Sequence, residues 1–289
     1  MTARHEISPV PRSGAQASER SGVRERLGLI AGCGRFPISL ARAARDHGYD
    51  VVAVAIEGEA SLELAQHVDR IHWLGVGSLT QAIETFRAEG VRELVMAGKV
   101  QKQRIFDLRG VDARLVSAME GLPARGDDAV LRAIAAELER GGLKVRESSS
   151  FLGPALPQPG VLSRRSPLGR EDADIVYGLA IARQLATLGI GQTVVVKDRV
   201  IVAVEAIEGT DATIARAGAC CGPGTVVVKV SGPSQDTRFD LPVVGPMTIA
   251  ALAGARASVL AVEAGRTVVL DRAEVVLLAD EAGIAVVAV

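Results

Sequence analysis

Short apolar runs alternate with amphipathic segments through the first half of the chain. The runs LGLIA (27–31), VVAVAI (51–56) and LVMA (94–97) are almost continuously apolar, as buried parallel strands are. Between them, segments such as PISLARAARDHG repeat apolar residues every three or four positions, which predicts helices that cover the sheet. Residues 25–150 are therefore predicted to form a Rossmann-like, doubly wound α/β domain.

A second α/β domain is predicted for residues 171–289. Residues 151–170 are rich in proline and glycine and lack periodicity, so we interpret them as the connector. Beyond it, the apolar segments TVVVK and VIVAV are joined by a turn at Lys197 to Arg199, which predicts an antiparallel hairpin and hence a mixed sheet. The polar segment 1–24 has no apolar core and is interpreted as a disordered tail.

Charge and composition argue against several classes of function. The 289 residues carry 33 basic and 34 acidic side chains, and only 3% are aromatic, so the chain has neither a basic surface nor stacking side chains for nucleic acid. The three cysteines lack metal-ligand spacing and suit the reducing cytosol. No apolar stretch is long enough to cross a bilayer, and we expect a cytoplasmic protein.

Two glycine turns are candidates for contact with a nucleotide. The segment GLIAGCGRFP places Gly32 and Gly34 between the first strand and the first helix, where backbone N–H groups can hold a phosphate. Pro37 stands where a dinucleotide-binding turn has its third glycine, which disfavours a nicotinamide-dependent oxidoreductase. Gly98 and Lys99 end another strand, at the sheet edge where open α/β sheets bind ligands. The alternative is that each turn is structural and that Lys99 is solvated.

Acidic residues gather at two further turns. Asp128 lies in the first turn of a predicted helix, where the helix dipole alone explains it, although it is also a candidate substrate contact. The segment VEAIEGTDA concentrates Glu205, Glu208 and Asp211, and either a metal, a ligand or plain exposure accounts for them. The candidate substrate contacts in this turn are Glu208, Gly209 and Thr210, and the candidate metal ligand is Asp211.

The most polar segment between two apolar ones is SGPSQDTRFDLPVVG, residues 231–245. In an extended conformation, Asp236, Arg238 and Asp240 share one side, because side chains alternate along a strand. Carboxylates beside arginine suit Mg²⁺ and phosphate together. Gln235 and the preceding Lys229 are candidate substrate contacts. The alternative is a solvated, charged turn.

Six segments in order resemble the UDP-2,3-diacylglucosamine pyrophosphatase family of the lipid A pathway, in its alphaproteobacterial, non-calcineurin form. They are GLIAGCGRFP, AGKV, GDDAVLR, IGQTVVVKDRVIVAVEAIEGTDA, SQDTRFDLPVVG and EAGRTVVLDR. The resemblance runs from about Leu27 to the carboxyl terminus. Cys33 and Arg35 depart from the small residues expected in the first segment.

This resemblance implies two α/β domains with the lipid product between them, and hydrolysis of the substrate to UMP and 2,3-diacylglucosamine 1-phosphate (lipid X) with Mg²⁺, or Mn²⁺, as cofactor. It places the functionally important aspartate at Asp240, in the R-x-D-L-P motif, with water attacking the α-phosphorus. We assign Asp240, Arg238 and Asp236 as catalytic and expect Asp240 and Asp211 to hold the metal.

The resemblance also implies a homodimer that binds UDP-2,3-diacylglucosamine and lipid X. Because these ligands are lipids, we expect transient contact with the inner leaflet, although no basic amphipathic helix marks a membrane surface. A non-catalytic nucleotide- or lipid-binding module is the main alternative, and a nicotinamide-dependent oxidoreductase is a weaker one.

Overall fold

The computed structural model describes residues 24–100, 111–120, 122, 127–232, 236, 238 and 241–289. The predicted tail, apart from Arg24, and the candidate residues Gln235 and Asp240 lie outside these ranges, and the description of Asp128 is limited to its backbone.

The amino-terminal half forms a five-stranded sheet, as its alternating pattern predicts. The strand order is β3-β2-β1-β4-β5 and every pair is parallel. Its strands are β1 (Arg26–Ala31), β2 (Asp50–Ile56), β3 (Arg70–Leu74), β4 (Glu93–Ala97) and β5 (Lys144–Val145). Its helices are α1 (Phe36–Asp46), α2 (Leu79–Ala88), α3 (Ala113–Glu120) and α4 (Asp127–Arg140). The chain reverses its direction of winding between β1 and β4, which places the ligand-binding switch point of this fold there.

The carboxyl-terminal half forms a six-stranded mixed sheet of order β6-β13-β11-β9-β7-β8. Its strands are β6 (Gly160–Val161), β7 (Thr193–Lys197), β8 (Val200–Val204), β9 (Val226–Lys229), β11 (Val259–Val262) and β13 (Ala285–Ala288). Strands β8, β9, β11 and β13 run in one direction, and β6 and β7 run against them. The predicted hairpin is confirmed as β7 and β8, and β6 lies within the predicted connector.

Helices cover both faces of the second sheet. The helices are α5 (Gly169–Thr187), α6 (Thr210–Cys221), α7 (Pro246–Gly254) and α8 (Arg272–Glu281). Helix α5 packs through Ile175, Ala182 and Ala186 on one face, and the other three helices share a core on the opposite face. Within the described ranges, no helix has both the length and the apolar character that crossing a bilayer requires.

The two halves pack against each other through apolar side chains. A small parallel pair, β10 (Val243–Val244) and β12 (Val268–Val269), belongs to neither large sheet, and β10 lies at the end of the 231–245 segment. Val268 and Leu270 are buried in the same core as α1 and the first sheet, and Leu241 packs against that core. The end of the 231–245 segment is therefore fixed at the boundary between the domains.

Candidate active site

The two glycine turns of the first domain meet at the carboxyl ends of β1 and β4. The Gly32 N–H donates to the Ala97 carbonyl at 2.8 Å, and the Cys33 N–H donates to the Lys99 carbonyl at 2.7 Å. A Cβ on Gly32 would lie 2.4 Å from the Lys99 carbonyl oxygen, and one on Gly98 would lie 2.8 Å from that of Cys33. Glycine is required at both positions because the two backbones cross at this distance.

Because of these contacts, two backbone N–H groups of the first turn are not available to bind a phosphate. The N–H groups of Gly32 and Cys33 hold the two turns together, so neither faces a ligand. Gly34 has a φ of +94° with open space at its Cβ position, and the Lys99 side chain is exposed at the same edge. The turn around Gly34 and the Lys99 side chain are therefore the exposed groups at this edge.

Arg35 connects this turn to the second domain. Its guanidinium Nε lies 3.2 Å from a carboxylate oxygen of Asp271 and its Nη1 lies 3.8 Å from one of Glu274, at the start of α8. Asp271 precedes the helix in a left-handed conformation, with φ +49°. The unexpected arginine of the first turn is thus a link between the domains.

Charged residues meet at one edge of the second sheet. Glu205 follows β8, Lys229 ends β9, and Glu263 follows β11. Because these strands run in the same direction, their carboxyl ends lie at one edge, which brings together three residues that are far apart in the sequence. All three side chains are buried, at 5–9% exposure for the whole residue.

Lys229 is held by two hydroxyls and a carboxylate. Its Nζ donates to Thr210 Oγ1 at 2.8 Å and to Thr193 Oγ1 at 3.4 Å, and lies 3.9 Å from Glu205 Oε2. The Thr210 hydroxyl in turn donates to Glu205 Oε1 at 2.9 Å. Burial alone would raise the pKa of Glu205, but the Lys229 charge and the hydrogen bonds from nearby groups leave that pKa lowered. We call Glu205, Thr210, Thr193 and Lys229 the edge cluster.

Glu263 fixes the start of the 231–245 segment. Its Oε2 accepts the Ser231 N–H at 3.0 Å, its Oε1 accepts from Arg183 of α5 at 3.0 Å, and its own N–H donates to the Lys229 carbonyl at 3.2 Å. The chain therefore leaves the sheet in a defined direction directly after Lys229.

Asp236 and Arg238 form a tight pair, but not in the extended conformation predicted from the sequence. The backbone N–H of Arg238 donates to Asp236 Oδ1 at 3.1 Å, so the chain turns here, as aspartate favours when it binds the backbone two residues on. The guanidinium also binds both carboxylate oxygens, with the shortest contact at 2.7 Å. These hydrogen bonds lower the pKa of Asp236 and raise that of Arg238.

The same guanidinium reaches the first domain. Arg238 Nη1 donates at 2.9 Å to Glu139 Oε1, on α4. Together with the packing of Leu241 on the first domain's core, this contact places Arg238 and Leu241 at the boundary between the domains.

The turn before α6 is held by local contacts. The Glu208 carboxylate accepts from Arg216 at 2.7 Å, from the Thr213 hydroxyl at 3.2 Å and from the Ala206 N–H at 3.1 Å. Its pKa is lowered, by its own backbone N–H first and then by Arg216. Gly209 has a φ of +85°, and Asp211 lies exposed in the first turn of α6. Of the candidate substrate contacts in this turn, Thr210 accepts a hydrogen bond from Lys229, whereas the Glu208 carboxylate pairs with Arg216.

The described residues form no group of three or more histidine, cysteine, aspartate or glutamate side chains placed to hold a metal. Mg²⁺ does not need such a group, since it commonly takes one or two carboxylates and completes its shell with phosphate oxygens and water. The predicted ligands are Asp211, in the first turn of α6, and Asp240, outside the described residues.

Sequence reasoning gave Glu205 no definite role and missed Glu263 and Glu139. The sequence does carry a signal for Glu205 and Glu263, because the segments VAVE and LAVE each end an apolar strand with a glutamate. Because parallel strands end at one edge of a sheet, this repetition predicts two carboxylates there. Glu139 has no comparable signal, because its contact with Arg238 joins residues 99 positions apart.

Solved structures with some similarity to this chain include two biotin carboxylases. One is the biotin carboxylase domain of a thermophilic 2-oxoglutarate carboxylase, with 13% identity, TM-score 0.27, and coverage of 58% of this chain and 34% of that one. The other is the biotin carboxylase subunit of a pyruvate carboxylase, with 14% identity, TM-score 0.27, and coverage of 63% and 36%. This chain spans only about a third of either structure, and the similarity is too low to indicate a common fold.

Sequence comparison identifies the family. The model of the LpxI N-terminal domain matches residues 26–154, and the model of the LpxI C-terminal domain matches residues 158–287. A Caulobacter vibrioides protein named UDP-2,3-diacylglucosamine pyrophosphatase LpxI is 34% identical over 277 residues, which are 91% of this chain and 97% of that protein. The resemblance read from six short segments is confirmed over nearly the whole length, and the chain belongs to the LpxI family.

Proposed function

We propose that this protein hydrolyses the pyrophosphate bond of UDP-2,3-diacylglucosamine to give UMP and 2,3-diacylglucosamine 1-phosphate. The observation that carries this proposal is the buried ammonium of Lys229, held at a sheet edge whose next segment reaches the first domain through Arg238. A fixed cation at such an edge suits a diphosphate, and the named relative in the same family is a pyrophosphatase.

The charges of the site match the needs of phosphoryl transfer. Breaking a phosphoanhydride leaves little covalent work to the protein, so catalysis depends on positioning the phosphates and stabilising their charge. Lys229, Arg238 and Lys99 supply positive charge. Arg238 is oriented by its contacts with both carboxylate oxygens of Asp236, while the Glu139 carboxylate that it also binds is partly exposed. A substrate phosphate can replace Glu139 on this guanidinium without releasing Asp236.

The LpxI family also implies a divalent cation, for which we propose Mg²⁺. Asp240 and Asp211 are the residues of this chain that would hold it. When bound, the ion supplies charge neutralisation on the phosphoryl oxygens and orients water. The protein's own contribution is to bind and align the diphosphate between the two domains.

UMP release is the direct test of this function. Purified protein is expected to release UMP from UDP-2,3-diacylglucosamine when Mg²⁺ is present and to stop when EDTA is added. UDP-N-acetylglucosamine, which lacks the two long acyl chains, serves as the control substrate and should be a poor one. Binding of the lipid substrate without UMP formation, with or without Mg²⁺, would contradict the enzyme assignment and favour a non-catalytic binding module.

The same proposal includes a place for the acyl chains and a second copy of the protein. A cleft of about 380 Å³ opens beside β6, and its lining combines Leu156, Val161 and Leu162 with the polar side chains of Gln158 and Arg272. The surface of α5 and the β7–β8 hairpin exposes apolar side chains that support a homodimer. They are Val176, Tyr177, Leu188, Ile190 and Val200. Transient contact with the inner leaflet follows from the lipid substrate.

A further inference from the structure

The edge cluster contains a buried carboxylate to which the proposed chemistry gives no task. Glu205 is 9% exposed and lies one residue beyond β8. Removing a carboxylate and an ammonium from water costs several kcal/mol for each ion unless they compensate one another. A buried Glu205 beside a buried Lys229 therefore indicates a pair whose geometry is fixed by its surroundings.

The backbone places Glu205 with little freedom. A Cβ on Gly191 would lie 2.0 Å from the Glu205 carbonyl oxygen, so only glycine permits this approach. The Glu205 N–H donates to the Thr193 carbonyl at 2.9 Å, which continues the β7–β8 ladder beyond β8. These contacts hold the carboxylate on the side of the sheet edge where Lys229 ends β9.

The Thr210 hydroxyl links Lys229 to Glu205 through two hydrogen bonds that run in one order. A threonine hydroxyl has one hydrogen, and here it is donated to Glu205 Oε1. Its oxygen is then left to accept from Lys229 Nζ at 2.8 Å. The negative charge of Glu205 thus sets the orientation of the hydroxyl, and the hydroxyl sets the position of the ammonium.

A second ion pair in the same domain, with a buried glutamate and a half-buried arginine, shows what a purely structural pair looks like. Glu171 binds Arg165 through both carboxylate oxygens and accepts the Leu168 N–H at the start of α5. Arg165 also donates to the Ser258 carbonyl, just before β11, so this pair lies at the opposite edge of the sheet. In the edge cluster, by contrast, Glu205 Oε2 accepts no hydrogen bond from any described residue.

We infer that Glu205 is a positioning residue that, through the Thr210 hydroxyl, holds the Lys229 ammonium in place for the diphosphate of the substrate. This inference rests on the proposed function, because it requires Lys229 to contact phosphate. It gives Glu205 a task different from metal binding and different from exposure to solvent.

The test compares kcat for UMP release in single and double variants. Glu205→Gln keeps the size and an acceptor for Thr210 but removes the charge, and kcat is expected to fall about 30-fold, with KM raised by up to about tenfold. The double variant Glu205→Gln/Lys229→Met is expected to be no slower than Lys229→Met alone, because residues that act as a unit are not additive. Glu171→Gln is the matched control and should keep the wild-type kcat.

A second pair of variants distinguishes the positioning role of Glu205 from a contribution to stability alone. Thr210→Val removes the hydroxyl and should lower kcat as Glu205→Gln does, whereas Thr210→Ser should retain most of the activity. Melting temperatures of Glu205→Gln and Glu171→Gln should fall by similar amounts. If kcat of Glu205→Gln stays at the wild-type value, or if the losses multiply in the double variant, the inference is overturned.

Calorimetric binding of UDP distinguishes failure of this inference from failure of the proposed function. Wild-type protein that binds UDP but releases no UMP would overturn the function. In that case the positioning role still predicts that Glu205→Gln binds UDP about tenfold more weakly than wild type does. Equal UDP affinity in wild type and Glu205→Gln, without a difference in kcat, overturns the positioning role. Wild-type protein that neither binds UDP nor releases UMP overturns both.

Discussion

Replacing Asp240 by alanine is expected to abolish UMP release, with kcat lowered about a thousandfold or more, while the protein remains folded. Asp240 belongs to the R-x-D-L-P motif by resemblance, and it stands between Arg238 and Leu241 in the sequence. Arg238 contacts Glu139 of the first domain, and Leu241 packs against that domain's core. Residues on both sides of Asp240 in the sequence thus lie at the domain boundary, where we propose that the diphosphate binds.

Two further variants make this prediction specific. Asp240→Asn keeps the size of the side chain and removes only the charge, so it should be nearly as inactive as Asp240→Ala. Asp46→Ala removes an exposed aspartate on α1, away from the proposed site, and should keep the wild-type rate. Melting temperature and kcat are measured for each. Near-normal turnover by Asp240→Ala would remove this residue from the mechanism.

The second large effect is expected at Gly98. Gly98→Ala should destabilise the protein by about 3 kcal/mol or more, because it combines an unfavourable backbone conformation with a steric clash. Its φ is +89°, and a Cβ would lie 2.8 Å from both the Cys33 carbonyl oxygen and the Gly32 carbonyl carbon. Relief of this clash requires the turns after β1 and β4 to separate, so substrate affinity should fall as well.

Gly48→Ala is the control, since it shares the backbone strain and lacks the clash. Its φ is +87°, and its Cβ position has no heavy atom within 4 Å. We expect Gly48→Ala to cost only about 1 kcal/mol in the free energy of unfolding measured with urea. Equal losses for the two variants would show that the crossing of the two turns contributes nothing to stability.

The fold was predictable because its determinants are local. Continuous apolar runs such as LGLIA became buried parallel strands, and the Lys197 to Arg199 turn became the hairpin. The positions of Gly32 and Gly98 at the ends of β1 and β4 followed from the same pattern. Strands β6 and β10 were missed because each has two residues beside proline in a polar or glycine-rich segment, where no apolar run marks a strand.

The site was predictable only in part, because its contacts join residues that are far apart in sequence. Lys229 and Thr210 were both candidates, but their hydrogen bond depends on the order of β7, β8 and β9 in the sheet. The turn at Asp236 and Arg238 replaced the predicted extended segment, because the aspartate binds the backbone N–H two residues on. Asp240 was assigned through resemblance to the family and remains a prediction.

The central claim is that one diphosphate binds at the boundary of the two domains, between the glycine turns of the first sheet and the edge cluster of the second. A crystal structure of Asp240→Asn with UDP-2,3-diacylglucosamine tests this claim most directly. We expect the diphosphate within hydrogen-bonding distance of Lys229 Nζ and the Arg238 guanidinium, with the turn around Gly34 and Lys99 on its other side. A diphosphate bound away from Lys229 and Arg238, in any other cleft, would contradict the claim.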